Sequence, residues 1–222
     1  MAQRKAHLEV DERFLKLTIG LIAIMLPILT WVLSVKPLHS ISASYYEIDL
    51  ARNIFVGGLF AISALLMSYD GRTGTQRLLS KVAAVAAPLI ASFPCQCHRT
   101  VTVIPYIHEI SASVMFAILA WFCYIFWQHA LSVGNEQAKL RVLIYRLCFA
   151  VIVISMAAAA LDTVLGGRWS GAGTFFIFAC EACGLVAFGI SWLTASKWIS
   201  WTASENERYS LFASKKPMDA TR

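Results

Sequence analysis

Charged residues are scarce in this chain. Asp, Glu, Lys and Arg make up 14% of its 222 residues, whereas about a quarter of the residues of a typical soluble domain are charged. The apolar residues, 58% of the total, are gathered into long runs, and they lack the alternation with polar residues that the strands of a membrane barrel require. The composition therefore excludes a soluble globular domain, and the pattern excludes a barrel.

Six apolar runs are long enough, or nearly so, to cross the ~30 Å hydrocarbon layer as helices. They cover residues 15–35, 53–69, 78–94, 104–127, 143–165 and 174–193. The first run has no small-x-small cleavage site, which favours a retained span over a signal peptide. The sequence predicts an all-α polytopic membrane protein with a segment 1–14, one bundle of six transmembrane helices over 15–195, and a polar tail 196–222.

Lysine and arginine are distributed unequally between the two sides of the predicted bundle. Of the 19, only Lys36, Arg52, Arg99 and Arg168 fall on the side opposite the N-terminus. Because cytoplasmic loops are enriched in positive residues, both termini are predicted to be cytoplasmic. The net charge of +6 then places cations near anionic lipid headgroups, so no nucleic-acid partner is needed to explain it. Membrane lipids are the expected partners, and a homo-oligomer or a membrane-protein partner is left open.

Polar side chains collect on the predicted outer side, most densely in HSISASYYEIDLARNIFVG, residues 39–57. Glu181 is the deepest of the acidic residues, and acidic residues inside a membrane span are costly and often functional. Arg52, at the start of the second span, is its predicted ion-pair partner. The alternatives for Glu181 are a purely structural ion pair and a protonated carboxyl group bonded to a neighbouring helix. For the serines of this segment, the alternative is that they are ordinary loop serines. The predicted ligand-binding residues are Ser42, Tyr45, Tyr46, Arg52, Glu109, Asp162 and Glu181.

Three histidines on the same side, His39, His98 and His108, are candidate zinc ligands, with Cys95 and Cys97 beside His98. The Cys-x-Cys-His spacing is not typical of a zinc site, and no histidine pair has the i,i+4 spacing of a metalloprotease helix. We therefore predict no cofactor, with zinc as the alternative. The other cysteines lie in spans and are predicted to be small apolar fillers: Cys123, Cys148, Cys180 and Cys183.

Small residues within the spans predict close helix packing. The segments CGLVAFG and ISMAAAALD are the predicted packing seams.

The pattern SISASYYE…RNIFVGGLFAISALLMSYDG, best over residues 38–71, resembles bacterial six-span membrane proteins of unknown function. It is more distantly similar to the family of the damage-regulated autophagy modulators and the yeast suppressor-of-four-kinase protein, in which a polar Ile-Ser segment also precedes the second span. The resemblance implies a lipid-organising or regulatory role in a bacterial inner (plasma) membrane.

From these observations we expect an outward-facing polar pocket that binds a lipid or small amphiphile, and whether the chain is also an enzyme is left open. One alternative is a metal-dependent intramembrane hydrolase with Glu109 as general base. The other is a small proton-coupled transporter that titrates through Glu181 and Asp162.

Overall fold

The computed structural model describes residues 11–48, 50–95, 104, 106–169 and 175–202. These residues form six α-helices and two short 3-10 segments, and they contain no strand. The predicted all-α class and six helices are therefore confirmed. The helices are α1 (Glu12–Leu33), α2 (Leu50–Ser68), α3 (Gly74–Ser92), α4 (Ile107–Val133), α5 (Glu136–Val164) and α6 (Phe176–Ser196), and the 3-10 segments are Ser42–Tyr46 and Ser200–Thr202.

Five of these helices, α1, α2, α4, α5 and α6, are long and apolar enough to cross a membrane. The hydropathy of α3 is lower because Gln76, Arg77 and Lys81 occupy its first turns and alanine dominates its centre. The chain therefore has the helices of a multi-pass membrane protein, and a sixth crossing by α3 stays a prediction.

Polar caps start several helices earlier than the apolar runs predict. The Asp11 carboxylate accepts the N–H of Arg13 at 2.9 Å, and the Asn135 amide oxygen accepts the N–H of Ala138 at 2.7 Å. Thr73 caps α3 in the same way. A side-chain oxygen at this position satisfies an N–H that has no partner within the helix. The helices α1, α3 and α5 consequently begin before residues 15, 78 and 143.

The helices form a closed ring. Each packs against its neighbours in the chain, and α1 also packs against α6. Aromatic side chains fill the centre around Trp192, which is fully buried; its ring centroid lies 5.1 Å from that of Tyr69 and 5.3 Å from that of Phe122. We call the end of the ring that holds the first turns of α1 the Lys16 end, and the opposite end the Glu181 end.

Pro88 lies inside α3, where its missing N–H leaves the carbonyl four residues earlier without a helical partner. That carbonyl belongs to Ala84, and the Ser63 hydroxyl of α2 donates to it at 2.5 Å. A side chain from the adjacent helix thus satisfies the backbone group that the proline leaves open, as membrane helices with internal prolines require.

Helices α1 and α6 approach closely at Gly20 and Gly189. A Cβ added at Gly189 would lie 2.7 Å from the Gly20 carbonyl oxygen and 2.5 Å from Cγ1 of Ile24. The predicted seam CGLVAFG, which contains Gly189, is therefore confirmed. In ISMAAAALD, Met156 packs against the core beside Gly184, whereas none of the four alanines 157–160 is buried. The packing predicted there is therefore made by Met156 and not by the alanines.

We expect Gly189→Ala to lower the free energy of unfolding by about 1–3 kcal/mol, because the added methyl overpacks the contact between α1 and α6. Thermal unfolding in detergent would measure the effect. Gly57→Ala is the matched control, since a Cβ added at Gly57 meets no atom within 4 Å. Equal losses in the two variants would show that the close approach of α1 and α6 does not matter for stability.

Candidate functional site

The segment after α1 turns into the bundle at the Glu181 end. Ser40, Ile41, Ser42 and Ser44 are all buried, although hydroxyl groups and free backbone groups are costly away from water. Part of this cost is offset locally, because the Ser44 hydroxyl and N–H both donate to the Ile41 carbonyl, at 2.6 Å and 3.1 Å. The remaining polar groups need partners on the surrounding helices.

Glu181 of α6 supplies the first of these partners. The Ser40 hydroxyl lies 3.0 Å and 2.9 Å from its two carboxylate oxygens, and the Ile41 N–H donates to Oε2 at 2.5 Å. The Ser42 N–H donates to Ser40 Oγ at 3.0 Å, so Ser40 accepts from one side and donates to the carboxylate on the other. Glu181 therefore fixes the buried segment against α6.

His108 of α4 supplies the second partner. Its Nδ1 lies 3.1 Å from the Ile90 carbonyl oxygen and 2.8 Å from that of Phe93. A ring nitrogen that faces two carbonyl oxygens carries the proton. In the neutral imidazole Nε2 is then the acceptor, and the Ser42 hydroxyl, 3.0 Å away, donates to it. His108 thus joins the buried segment to the carbonyl groups at the end of α3.

These contacts form one chain of hydrogen bonds from Glu181 through Ser40 and Ser42 to His108, which we call the Ser40–Ser42 network. The network connects α6, the segment after α1, α4 and the end of α3. Tyr46 adds a further tie, because its hydroxyl donates to the carbonyl of Cys95 at 2.5 Å.

An apolar cavity of about 60 Å³ lies against this network. Among the described residues in its wall, Ser42 and Glu181 are the two with polar side chains, and the others are apolar, including Phe55, Met115 and Leu185. The wall draws on α1, α2, α3, α4 and α6. The cavity is therefore an apolar space with one hydroxyl and one carboxyl group in its wall.

A second, more open space lies between α3 and α4. This groove has a volume of about 480 Å³, and its walls include Val85, Leu89, Ile110 and Val114, with Ser111 and Lys81 as its polar members. Ser111 is one helical turn from His108 on α4. The groove is thus a mostly apolar surface, and it shares helix α4 with the Ser40–Ser42 network.

The predicted ion pair between Arg52 and Glu181 is wrong. Arg52 is exposed, and its guanidinium carbon lies 4.8 Å from the centre of the Tyr45 ring. No ion pair joins Arg52 to Glu181 in the part of the chain that the structure describes. The reason is that the Glu181 oxygens accept hydrogen bonds from Ser40 and Ile41 instead.

The other predicted acids lie in different surroundings. Asp162 is buried at the end of α5, where its carboxylate accepts the N–H of Trp169 at 2.7 Å and its carbonyl accepts that of Gly167 at 2.8 Å. It therefore closes the turn after α5. Glu109 is partly buried in the first turn of α4.

Of the predicted ligand-binding residues, the structure brings Ser42 and Glu181 to one cavity, and it pairs Tyr45 with Arg52 outside it. Sequence reasoning missed the hydrogen bonds that join Ser40 to Glu181 and Ser42 to His108. The available signal was the alternation of Ser40, Ser42 and Ser44 in a short segment between two apolar runs, because hydroxyl groups buried there need partners.

No group of three or more His, Cys, Asp or Glu in the described ranges is arranged to hold a metal ion. Both ring nitrogens of His108 are engaged in the network, His39 is exposed, and Cys95 is disulfide-bonded. His98 and Cys97 lie outside the described residues. The prediction of no cofactor, with zinc on these histidines as the alternative, stays a prediction.

Comparison with known proteins found no match: no family model, curated protein or solved structure matches the chain.

Proposed function

We propose that this chain is a multi-pass protein of a bacterial inner membrane that binds a lipid or small amphiphile in a structural or regulatory role. The observation that carries the proposal is the apolar cavity whose polar side chains are Ser42 and Glu181. An amphiphile has the matching chemistry, since its alkyl part suits the apolar wall and its polar group can form hydrogen bonds with the hydroxyl and carboxyl groups.

The size of the cavity indicates which part of an amphiphile it takes. At about 60 Å³ it is smaller than the ~150 Å³ apolar cavity that binds benzene in an engineered protein. It therefore holds a polar group with a few adjoining carbons rather than a whole lipid. The groove of about 480 Å³ between α3 and α4 offers room for a longer alkyl chain on the same side of the bundle.

The proposed orientation places the Ser40–Ser42 network on the extracytoplasmic side. The unequal distribution of lysine and arginine supports this orientation, because cytoplasmic loops are enriched in both residues. Lys16, Arg72, Arg141 and Lys197 lie at the opposite, Lys16 end.

The pair formed by Ser42 and His108 also has the spacing of a nucleophile and its general base. An acyl-transfer site needs free N–H groups to stabilise the oxyanion. The N–H groups of this turn are already used: Ile41 donates to Glu181, Ser42 to Ser40 Oγ, and Ala43 to the Ser40 carbonyl. The geometry therefore favours binding over hydrolysis, and covalent labelling of Ser42 by a fluorophosphonate would reverse this preference.

Filling the cavity should remove the bound molecule. Ala112 lines the cavity, and we expect Ala112→Leu to displace an amphiphile because the larger side chain occupies the space. The measurement is native mass spectrometry of the full chain released from nanodiscs made of native membrane. We expect the wild type to retain one lipid-sized adduct at a collision energy that strips Ala112→Leu completely.

The matched control is Ala117→Leu, on the same helix but exposed and outside the cavity wall. It adds the same side chain and should retain the adduct as the wild type does. Equal retention by both variants, or no adduct on the wild type, would contradict the proposal.

A further inference from the structure

A second cavity lies at the Lys16 end of the bundle, far from the Ser40–Ser42 network in the fold. Its volume is about 50 Å³. Among the described residues that line it there is no carboxylate, and five of them are basic: Lys16, Arg72, His129, Arg141 and Lys197.

These basic residues come from separate parts of the chain. Lys16 lies in the first turns of α1, Arg72 in the turn after α2, His129 near the end of α4, and Arg141 near the start of α5, while Lys197 directly follows α6. The antiparallel order of the helices brings all these ends together. The cavity therefore exists only in the folded bundle.

Of the five basic residues, two are buried, two are exposed and Lys197 is half-buried. Lys16 is 7% exposed and Arg141 is 3% exposed, whereas Arg72 and His129 are exposed. Buried cations are costly unless negative charge or hydrogen bonds compensate them. The cavity thus combines a buried positive floor with a positive, accessible mouth.

Glu12 and a backbone carbonyl contact the two buried cations. Lys16 Nζ lies 3.4 Å from Oε2 of Glu12, whose side chain is 37% exposed. Arg141 donates to the backbone carbonyl of Thr202 at 2.9 Å, and Arg72 contacts His129, which is another basic group.

Tyr69 gives an independent indication of a ligand. It lines the same cavity and is fully buried, and its hydroxyl has no hydrogen-bond partner among the described residues. Lys16 Nζ lies 5.2 Å from the centre of its ring. An unpaired buried hydroxyl is costly, and here it stands beside cations as a spare donor for an anion.

We propose that this cavity binds one phosphate group. Arginine presents a planar set of donors that matches phosphate oxygens, lysine adds a point charge, and the tyrosine hydroxyl adds a further donor. The volume of about 50 Å³ is a few times the ~10–15 Å³ that one water needs, which suits a single phosphate group. That group belongs either to an anionic phospholipid headgroup or to soluble phosphate. The site is independent of the amphiphile cavity at the Glu181 end.

The test uses the purified full chain and two probes. In the first arm, inorganic phosphate is titrated in detergent against chloride at equal ionic strength, and the thermal midpoint is followed by tryptophan fluorescence. In the second arm, nanodiscs of phosphatidylcholine are compared with nanodiscs that also contain phosphatidylglycerol. We expect a rise in the midpoint in at least one arm, because a ligand that binds only the folded state stabilises it. A rise with phosphatidylglycerol alone identifies the lipid headgroup, and a rise with phosphate identifies the soluble ion.

Two variants test whether this cavity is responsible. Arg72→Gln should weaken the affinity about tenfold or more, the usual effect of losing one charge-assisted hydrogen bond. Tyr69→Phe should also weaken it while leaving the midpoint without ligand unchanged or higher, since it removes an unpaired hydroxyl. The matched control is Arg77→Gln, because Arg77 lies in the first turn of α3, shortly after Arg72 in the chain, pairs with Asp70 at 3.5 Å and is outside the cavity.

The proposal is overturned if the thermal midpoint in phosphate does not exceed that in chloride and the midpoint in nanodiscs with phosphatidylglycerol does not exceed that in phosphatidylcholine alone. It is equally overturned if Arg72→Gln and Arg77→Gln weaken binding to the same extent, because that result indicates diffuse attraction to the positive surface.

Discussion

Glu181→Ala is expected to lower the free energy of unfolding by about 2–5 kcal/mol. The substitution leaves the buried Ser40 hydroxyl and the Ile41 N–H without their acceptor, and each unpaired buried group costs about 1–3 kcal/mol. Few waters can replace the carboxylate, because Ser40 and Ile41 are 5% and 2% exposed. The measurement is thermal or denaturant unfolding of the purified chain in detergent.

The control for this prediction is Glu47→Ala. Glu47 ends the same loop, and its N–H bonds to the Ser44 carbonyl, which the substitution leaves intact. We expect a change within about 0.5 kcal/mol, as for most substitutions away from buried contacts. A double-mutant cycle with Ser40→Ala should show that the two losses are not additive, because both variants remove one hydrogen-bonded pair. Strict additivity would mean that Ser40 and Glu181 do not depend on each other.

The helices could be predicted from the sequence, because membrane spanning depends on the length and polarity of local segments. Their starts could be predicted less well. The apolar run from residue 143 concealed the first turns of α5, which Asn135 caps in a polar stretch. A capping side chain sets the start of a helix by a local hydrogen bond. An apolar run, by contrast, indicates only the part of the helix that faces lipid or the core.

The partner of Glu181 could not be predicted, because the contact joins residues 141 positions apart. Charge alone favoured Arg52, the cation nearest in the predicted topology. The chain satisfies the carboxylate instead with a hydroxyl and a backbone N–H from a segment that folds inward. Hydrogen bonds satisfy a buried carboxyl group without a counter-ion, and the sequence does not show which loop comes within reach.

The cavity at the Lys16 end could not be predicted from the sequence either, for a related reason. Counting lysine and arginine showed on which side the cations lie, and the count was explained by anionic lipid headgroups in general. The count could not show that Lys16 and Arg141 are buried in one cavity. Convergence of separate helix ends depends on packing, and no spacing within the sequence encodes it.

His108→Ala is the second substitution with a large expected effect. The imidazole bonds to two carbonyl oxygens at the end of α3 and accepts the Ser42 hydroxyl, and its removal leaves these groups and a space in the bundle. We expect the free energy of unfolding to fall by about 2–4 kcal/mol, which combines unpaired polar groups with a small cavity. Thermal unfolding in detergent measures the loss.

Gln128→Ala is the control, because it removes an exposed polar side chain near the other end of the same helix and should change the free energy by no more than about 0.5 kcal/mol. Ser42→Ala alone should cost about 1 kcal/mol, the usual contribution of one hydrogen bond. If Ser42 acts through His108, the double variant should lose little more than His108→Ala does, since the hydroxyl has then already lost the imidazole as its acceptor. A full additional loss in the double variant would show that Ser42 stabilises the segment by a contact other than the one to His108.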